Sequence, residues 1–151
     1  MFRGVTTLNL DVKGRIAIPA RYRERLAATC ASQLVITLDK DRCLLLYPEN
    51  EWVQIERKLN DLANMQSTNR TLQRLYIGYA YDVEMDGQGR ILVPPELREF
   101  AGLDKRVALV GQVNKFELWD ADVWTRNRDL WLSQVEQGVA TLSKDLENLS
   151  I

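Results

Sequence analysis

The chain has 151 residues, of which 46% are apolar, and its 20 basic and 21 acidic side chains leave a formal net charge of −1. It contains no histidine, which excludes Ser-His-Asp and Cys-His catalysis and histidine-based metal sites. No apolar run approaches the ~18 residues of a membrane span, and the N-terminus lacks the apolar core of a signal peptide. We therefore expect a cytoplasmic protein with Cys30 and Cys43 reduced and with neither metal nor cofactor.

The first half of the chain alternates between short apolar runs typical of strands and segments with the 3.6-residue period of helices. A strand over 5–11 leads into a tight turn, and Pro19 ends the strand that follows, because proline cannot donate to a ladder. The other elements predicted here are a helix over 20–29, strands over 34–38 and 43–47, a helix from 49 to about 64, and a helix over 67–79 capped by Ser67 or Thr68.

The second half repeats this series. We predict strands over 81–85, 90–93, 106–110 and 115–119, a helix over 95–101 with Gly102 at its C-terminal cap, and a helix from about 122 towards the end. The apolar residues of that last helix follow the helical period and include Leu130, Val135, Val139, Leu142, Leu146 and Leu149. The tryptophans are expected to pack in apolar cores; they are Trp52, Trp119, Trp124 and Trp131.

One nine-residue motif occurs twice, at residues 11–19 and 86–94, 75 residues apart. Each copy reads Asp, two variable residues, Gly-Arg, three apolar residues and Pro. Glycine at the fourth position is typical of a three-residue hairpin loop that ends in the left-handed conformation. We therefore expect Asp11 and Arg15 to lie on facing strands of a hairpin, and Asp86 and Arg90 to do the same.

The repetition extends beyond this motif. Leu46-Tyr47 with Trp52 matches Leu118-Trp119 with Trp124 at an offset of 72 residues. Neither half holds enough apolar residues for a comfortable core of its own. We predict two halves related by a pseudo-twofold axis that share one core, divided into a first repeat over 1–66, a connecting helix over 67–80, and a second repeat with the C-terminal helix over 81–151.

Charge is distributed unevenly along the chain. Residues 1–30 carry six basic and two acidic side chains, whereas residues 107–151 carry four basic and seven acidic ones. A basic N-terminal region favours an anionic partner, although a solvated helix face explains Arg21, Arg23 and Arg25 as well.

Arg3-Gly4 and the two motif copies closely resemble the MraZ family over essentially the whole chain. The resemblance implies an α+β fold of two tandem AbrB-type swapped-hairpin β-barrel repeats related by pseudo-twofold symmetry, with flanking helices and a long C-terminal helix. It also implies a cytoplasmic, nucleoid-associated transcriptional regulator, generally a repressor. Such a regulator binds repeated promoter boxes of its own operon in the division and cell-wall gene cluster, as a ring-shaped homo-oligomer on double-stranded DNA.

The site residues divide into two groups on this interpretation. The turn-shaping residues are Asp11, Gly14, Asp86 and Gly89, and the DNA-binding residues are Arg3, Lys13, Arg15 and Arg90. Lys13 lies at the loop tip and would contact phosphate, and Arg3 would act as a mobile basic arm. Because neutral Gln88 occupies the corresponding tip of the second copy, we expect the first turn to supply more of the electrostatic contact.

Three other interpretations of the motif are weighed against this one. The Asp and Arg could form a surface clasp with no ligand, contributing roughly 0–1 kcal/mol to stability. The two aspartates could form a protease-like carboxylate pair, but neither turn has the Asp-Thr/Ser-Gly sequence and each Asp has its own Arg. The chain could instead be a protein-binding or antitoxin-like assembly module whose acidic C-terminal helix is the binding surface. We expect no small-molecule substrate and no membrane partner.

Overall fold

The computed structural model describes residues 1–138 and Leu149. The strands are β1 Phe2–Asn9, β2 Arg15–Ala17, β3 Gln33–Leu38, β4 Leu44–Pro48, β5 Tyr81–Glu84, β6 Arg90–Leu92, β7 Arg106–Val113 and β8 Phe116–Asp120. The α-helices are α1 Ala20–Cys30, α2 Glu49–Asn60, α3 Ser67–Leu72, α4 Pro95–Phe100 and α5 Ala121–Glu136, and a π-helical segment, Gln73–Ile77, follows α3. Among the described residues, none of the helices has the length and apolar character needed to cross a membrane.

The two halves of the chain are interleaved in one six-stranded sheet. β1 of the first half pairs antiparallel with β7 of the second, from Phe2 opposite Val113 to Asn9 opposite Arg106. β5 of the second half pairs antiparallel with β3 of the first. The strand order is β1-β7-β8-β4-β3-β5, which is open within residues 1–138, with β1 and β5 at its edges. The predicted α+β class is confirmed, whereas these strands do not form a closed barrel.

The two motif copies meet in a second, two-stranded sheet. β2 and β6 pair antiparallel, with Ile16 opposite Ile91 at the centre. The predicted three-residue loop with a left-handed Gly14 is confirmed, and Asp11 N donates to the Arg15 oxygen at 3.0 Å. The prediction that the strands on either side of this loop pair with each other is wrong, because β1 pairs with β7 and β2 with β6. Each strand that flanks a turn finds its partner in the other half, because the eight pairs between β1 and β7 exceed what a three-residue β2 could offer.

The main core lies between these sheets and the first helix of each half. Ile16 and Ile91 are 1% exposed, and Tyr22 and Leu26 of α1 and Leu97 of α4 are also buried. Helices α1 and α4 begin directly after Pro19 and Pro94, whose φ of −54° suits a helix start. The helices that follow the motif thus pack in the same core as the two-stranded β2–β6 sheet, which we call the ribbon.

The segment over 67–79 differs from the single α-helix that we predicted. Its N-cap is Gln66, without a side-chain capping hydrogen bond, so neither Ser67 nor Thr68 caps it. After Leu72 the helix widens to π geometry. Gly78 N donates to the Gln73 oxygen at 3.3 Å in this segment, and the hydroxyl of buried Thr37 in β3 donates to the backbone oxygen of Tyr76 at 2.8 Å.

Residues from Asp122 onward form a separate compact unit that contains most of α5. The helix ends at Glu136 because Gly138 adopts a left-handed φ of +66°. The predicted core role of Trp131 is wrong, since 40% of its surface is exposed, although its ring meets Trp124 edge-to-face at 5.6 Å. The predicted apolar positions Val139, Leu142 and Leu146 lie outside the described residues.

Candidate functional site

The first turn is closed by its aspartate. Asp11 Oδ1 accepts hydrogen bonds from the backbone N–H groups of Lys13 at 2.9 Å and Arg15 at 2.8 Å. Asp11 Oδ2 accepts from Arg15 Nε at 2.8 Å. The backbone adds bonds from Asp11 N to the Arg15 oxygen and from Gly14 N to the Asp11 oxygen, and Gly14 has a φ of +84°. One carboxylate therefore holds the loop backbone and the arginine side chain together.

The second turn repeats this arrangement almost atom for atom. Asp86 Oδ1 accepts from the N–H groups of Gln88 and Arg90, both at 2.9 Å, and Asp86 Oδ2 accepts from Arg90 Nε at 3.0 Å. Gly89 has a φ of +76°. The equivalent distances of the two turns agree within 0.2 Å. The duplicated sequence thus produces a duplicated geometry.

Both aspartates are held in the ionised form. The backbone N–H of Arg15 lowers the pKa of Asp11 below its ordinary value, and the Arg15 side chain and the Lys13 N–H act in the same direction. The backbone N–H of Arg90 does the same for the pKa of Asp86. Each ion pair therefore persists at neutral pH and carries no net charge.

The ribbon places both arginines on one face. Along β2 and β6 the central isoleucines point into the core, so the residues on either side of them point away from it. Arg15 lies opposite Leu92, and Arg90 lies opposite Ala17, which makes the two arginines diagonal neighbours with Cα atoms ~8 Å apart. Their side chains are 28% and 31% exposed. Within residues 1–138, their Nη groups make no hydrogen bond, so these donors remain available to a ligand.

The antiparallel register separates the two aspartates. The first turn enters β2 at one end of the ribbon, and the second turn enters β6 at the other end. Asp11 and Asp86 therefore do not share a site, and each is committed to its own arginine. A carboxylate pair of the protease type is not assembled here.

The other predicted contact residues occupy different environments. Lys13 is exposed at the tip of the first turn, and Gln88 is exposed at the tip of the second. Arg3 lies within β1, paired with Gln112 of β7, so its prediction as a mobile arm is wrong. Arg3 is eight residues before Asp11, and most of those residues belong to the extended strand β1. Arg3 therefore lies far along the strand from the first turn.

Two further arginines lie beside the turns. The sequence offered Arg23 only as part of the basic N-terminal region, which a solvated helix face also explains, and it did not single out Arg98. A Cβ atom placed on Gly14 would lie 2.5 Å from Cζ of Arg98 on α4, so that guanidinium lies directly against the first turn. The guanidinium of Arg23 on α1 lies against Gly89 of the second turn in the same way. Arg23 and Arg98 are 75 residues apart, the same offset as the motif, and this equivalence was the signal that could have found them.

The arrangement suits recognition of an anionic surface rather than covalent chemistry. Each turn presents an oriented guanidinium, and the guanidinium fork binds phosphate oxygens and guanine edges. A two-stranded ribbon with paired, oriented arginines defines a class of β-ribbon module with two equivalent Asp–Arg turns.

Comparison with known proteins is consistent with this class. A family model described as "MraZ protein, putative antitoxin-like" matches the chain twice, over residues 1–75 and 76–133. The chain is 58% identical over 151 residues to a protein of Thioalkalivibrio sulfidiphilus named transcriptional regulator MraZ, and the match covers all of both chains. A protein of the same name from Halorhodospira halophila is 52% identical over the full length of both, and one from Nitrosospira multiformis is 60% identical over 82% of this chain and 84% of its own. The chain belongs to the MraZ family.

Proposed function

We propose that this chain is a sequence-specific DNA-binding transcriptional regulator that reads promoter DNA through its two Asp–Arg turns. The observation that carries the proposal is the shared face of Arg15 and Arg90 on the β2–β6 ribbon. The major groove of B-DNA, about 12 Å wide, admits a two-stranded ribbon, and arginine donates in bidentate fashion to guanine O6 and N7. The names of the curated relatives support a role in transcription.

The aspartates serve the arginines in this proposal. Asp11 and Asp86 use their Oδ2 atoms to hold the Nε atoms, which fixes the plane of each guanidinium and leaves its Nη groups directed away. A guanidinium that is oriented before binding loses less conformational freedom when it meets a base edge. Gly14 and Gly89 allow the loop to close in a left-handed conformation.

The two turns contribute unequally to binding. Lys13 places a cation that can reach a phosphate at the tip of the first turn, whereas neutral Gln88 occupies the tip of the second turn. Phosphate contacts release counterions, so the first turn is expected to account for more of the salt dependence.

One protomer offers few cationic contacts, and this favours an assembly. Several protomers on successive promoter boxes gain affinity from multivalency without any new contact. The open edges of β1 and β5 offer backbone groups for subunit contacts. We therefore propose a ring-shaped homo-oligomer of tandem AbrB-type repeats with swapped hairpins, divided at 1–66, 67–80 and 81–151. It acts in the cytoplasm, on the nucleoid, as a repressor of its own division and cell-wall operon.

The proposal is tested by replacing Arg15 and measuring binding to a duplex from the promoter upstream of its own gene. Arg15→Ala should weaken promoter binding by about 1–3 kcal/mol per contact, or about 5- to 150-fold, without changing assembly size in sedimentation. The matched control is Arg57→Ala, because Arg57 is exposed on α2, remote in sequence from both turns. Equal binding by the wild type and Arg15→Ala would contradict the proposal.

A second function is kept because the family description includes the word antitoxin. The described part of α5 has exposed apolar side chains that would suit a protein partner; they are Leu130, Leu132 and Val135. If this helix, and not the ribbon, carries the function, a chain that ends at residue 124 will no longer bind the protein partner. Its affinity for DNA will be the same with and without the Arg15→Ala substitution.

A further inference from the structure

We propose that Arg98 and Arg23 are a second pair of DNA-phosphate ligands, each contributed to a turn by the opposite half of the chain. Arg98 on α4 would bind a phosphate beside the first turn, and Arg23 on α1 would bind one beside the second turn. This inference rests on the proposed function and adds to Lys13 two further cations beside the turns.

Each Asp–Arg pair is electrically neutral by itself. The Asp11–Arg15 and Asp86–Arg90 pairs are each neutral, because both aspartates are ionised. Net positive charge beside the ribbon must therefore come from other side chains. Within residues 1–138, neither Arg98 nor Arg23 forms an ion pair with a carboxylate.

The guanidinium of Arg98 lies directly against the first turn. The Nη1 and Nε atoms of Arg98 would lie 2.7 and 2.8 Å from a Cβ on Gly14, so the guanidinium rests on the loop backbone. Arg98 also lines an open surface cavity, whose other charged side chains are Asp11, Asp104 and Lys105. Only glycine leaves room for this contact. Arg98 and Lys105 are the two cations of this lining, and of its two carboxylates Asp11 is already paired with Arg15.

Arg98 and Arg23 both have hydrogen-bond donors that the described residues do not use. Its Nε is buried and has no hydrogen-bond partner among the described residues. Arg23 uses its Nε to donate to the Ile18 backbone oxygen at 2.6 Å, and Ile18 N in turn donates to the Gly89 oxygen. Among the hydrogen bonds of residues 1–138, none uses an Nη group of Arg23 or Arg98, so these donors are left for a ligand. A guanidinium that has donors to spare and no counter-ion is well suited to a phosphate.

The test measures salt dependence with Arg98→Gln, Arg98→Lys and the control Arg57→Gln, on the promoter duplex and on an unrelated duplex of equal length. Arg98→Gln should weaken binding to both duplexes by the same factor, because a phosphate carries no sequence information. It should also reduce the slope of log affinity against log salt by about 0.9 per bound protomer. Arg98→Lys should restore that slope, since it keeps the charge, and Arg57→Gln should leave it unchanged.

Other results would overturn the inference. An unchanged slope with Arg98→Gln, or Arg98→Lys as weak as Arg98→Gln, would assign Arg98 to packing alone. A loss confined to the promoter duplex would assign it to base reading. If Arg98→Gln does not fold, as judged by its thermal melting, Arg98→Lys and Arg23→Gln decide the matter by the same slopes.

The two proposals fail in different ways. If the wild type binds independently of salt, or Arg15→Ala binds as tightly as the wild type, the proposed DNA function fails. If both of those controls behave as expected and Arg98→Gln keeps the wild-type slope, only the assignment of Arg98 and Arg23 fails.

Discussion

Replacing Asp11 by asparagine distinguishes the role of Asp11 in positioning Arg15 from the effect of its negative charge on DNA binding. The amide oxygen can still accept the backbone N–H groups of residues 13 and 15, which Oδ1 accepts at 2.9 and 2.8 Å. The amide nitrogen, however, is a donor and would replace Oδ2, which now accepts from Arg15 Nε at 2.8 Å. Two donors then face each other, so the loop is kept while the guanidinium is released.

The two effects of this change on DNA binding have opposite signs. Removing a negative charge ~10 Å from a phosphate favours binding by about 0.4 kcal/mol in water, before screening by salt. Losing one oriented arginine contact to a base costs about 1–3 kcal/mol. Because the lost contact outweighs the electrostatic gain, Asp11→Asn should bind promoter DNA more weakly than the wild type, by about 3- to 80-fold.

The assay is fluorescence anisotropy with the labelled promoter duplex at fixed salt. The matched control is Asp61→Asn, because Asp61 is exposed at the end of α2 and makes no side-chain hydrogen bond within the described residues. It changes net charge by the same amount and should bind as tightly as the wild type or slightly more tightly. If Asp11→Asn bound as tightly as Asp61→Asn, Asp11 would not position Arg15 for DNA.

Three further predictions concern the turns. Because the folded-state pKa values of Asp11 and Asp86 lie below the unfolded ones, their stabilisation is present above about pH 4 and is lost below it. The urea concentration at the midpoint of unfolding should therefore fall more between pH 5 and pH 3 for the wild type than for the variant with both Asp11→Asn and Asp86→Asn. Gly14→Ala should lower Tm more than Gly102→Ala: both glycines have positive φ, but only Gly14 has a guanidinium against it; equal Tm losses would argue against that contact. Gln88→Lys should strengthen DNA binding and raise the salt slope by about 0.9 per protomer, and an unchanged slope would mean that the second tip does not approach phosphate.

The local elements were largely predictable from the sequence, whereas their partners were not. The Asp-x-x-Gly-Arg spacing predicted the turn because a left-handed glycine and an aspartate that accepts backbone N–H groups are local features. The exchange of β1 to β7 was not predictable, because a period of two residues states which side of a strand is buried and not which strand lies beside it. The same limit applies to Arg3, which the pairing of β1 removes from the turn.

Long-range contacts explain the remaining differences. A solvated helix face explained Arg23 equally well, and Arg98 carried no local signal, so only their shared 75-residue offset related the two arginines to the motif. The π-helical segment after Leu72 is bonded to β3 by a hydrogen bond from the Thr37 hydroxyl to the Tyr76 oxygen, 39 residues apart in the chain. Helical periodicity assigned Trp131 to a face but could not state what covers that face.

The most direct test of the DNA function is a salt series for binding of the promoter duplex by the wild type and Arg15→Ala. The wild type should lose affinity steeply and linearly in log salt, and Arg15→Ala should bind more weakly at every salt concentration. Affinity that does not change with salt, or coincident curves for the two proteins, would contradict the assignment of the Asp–Arg turns to DNA.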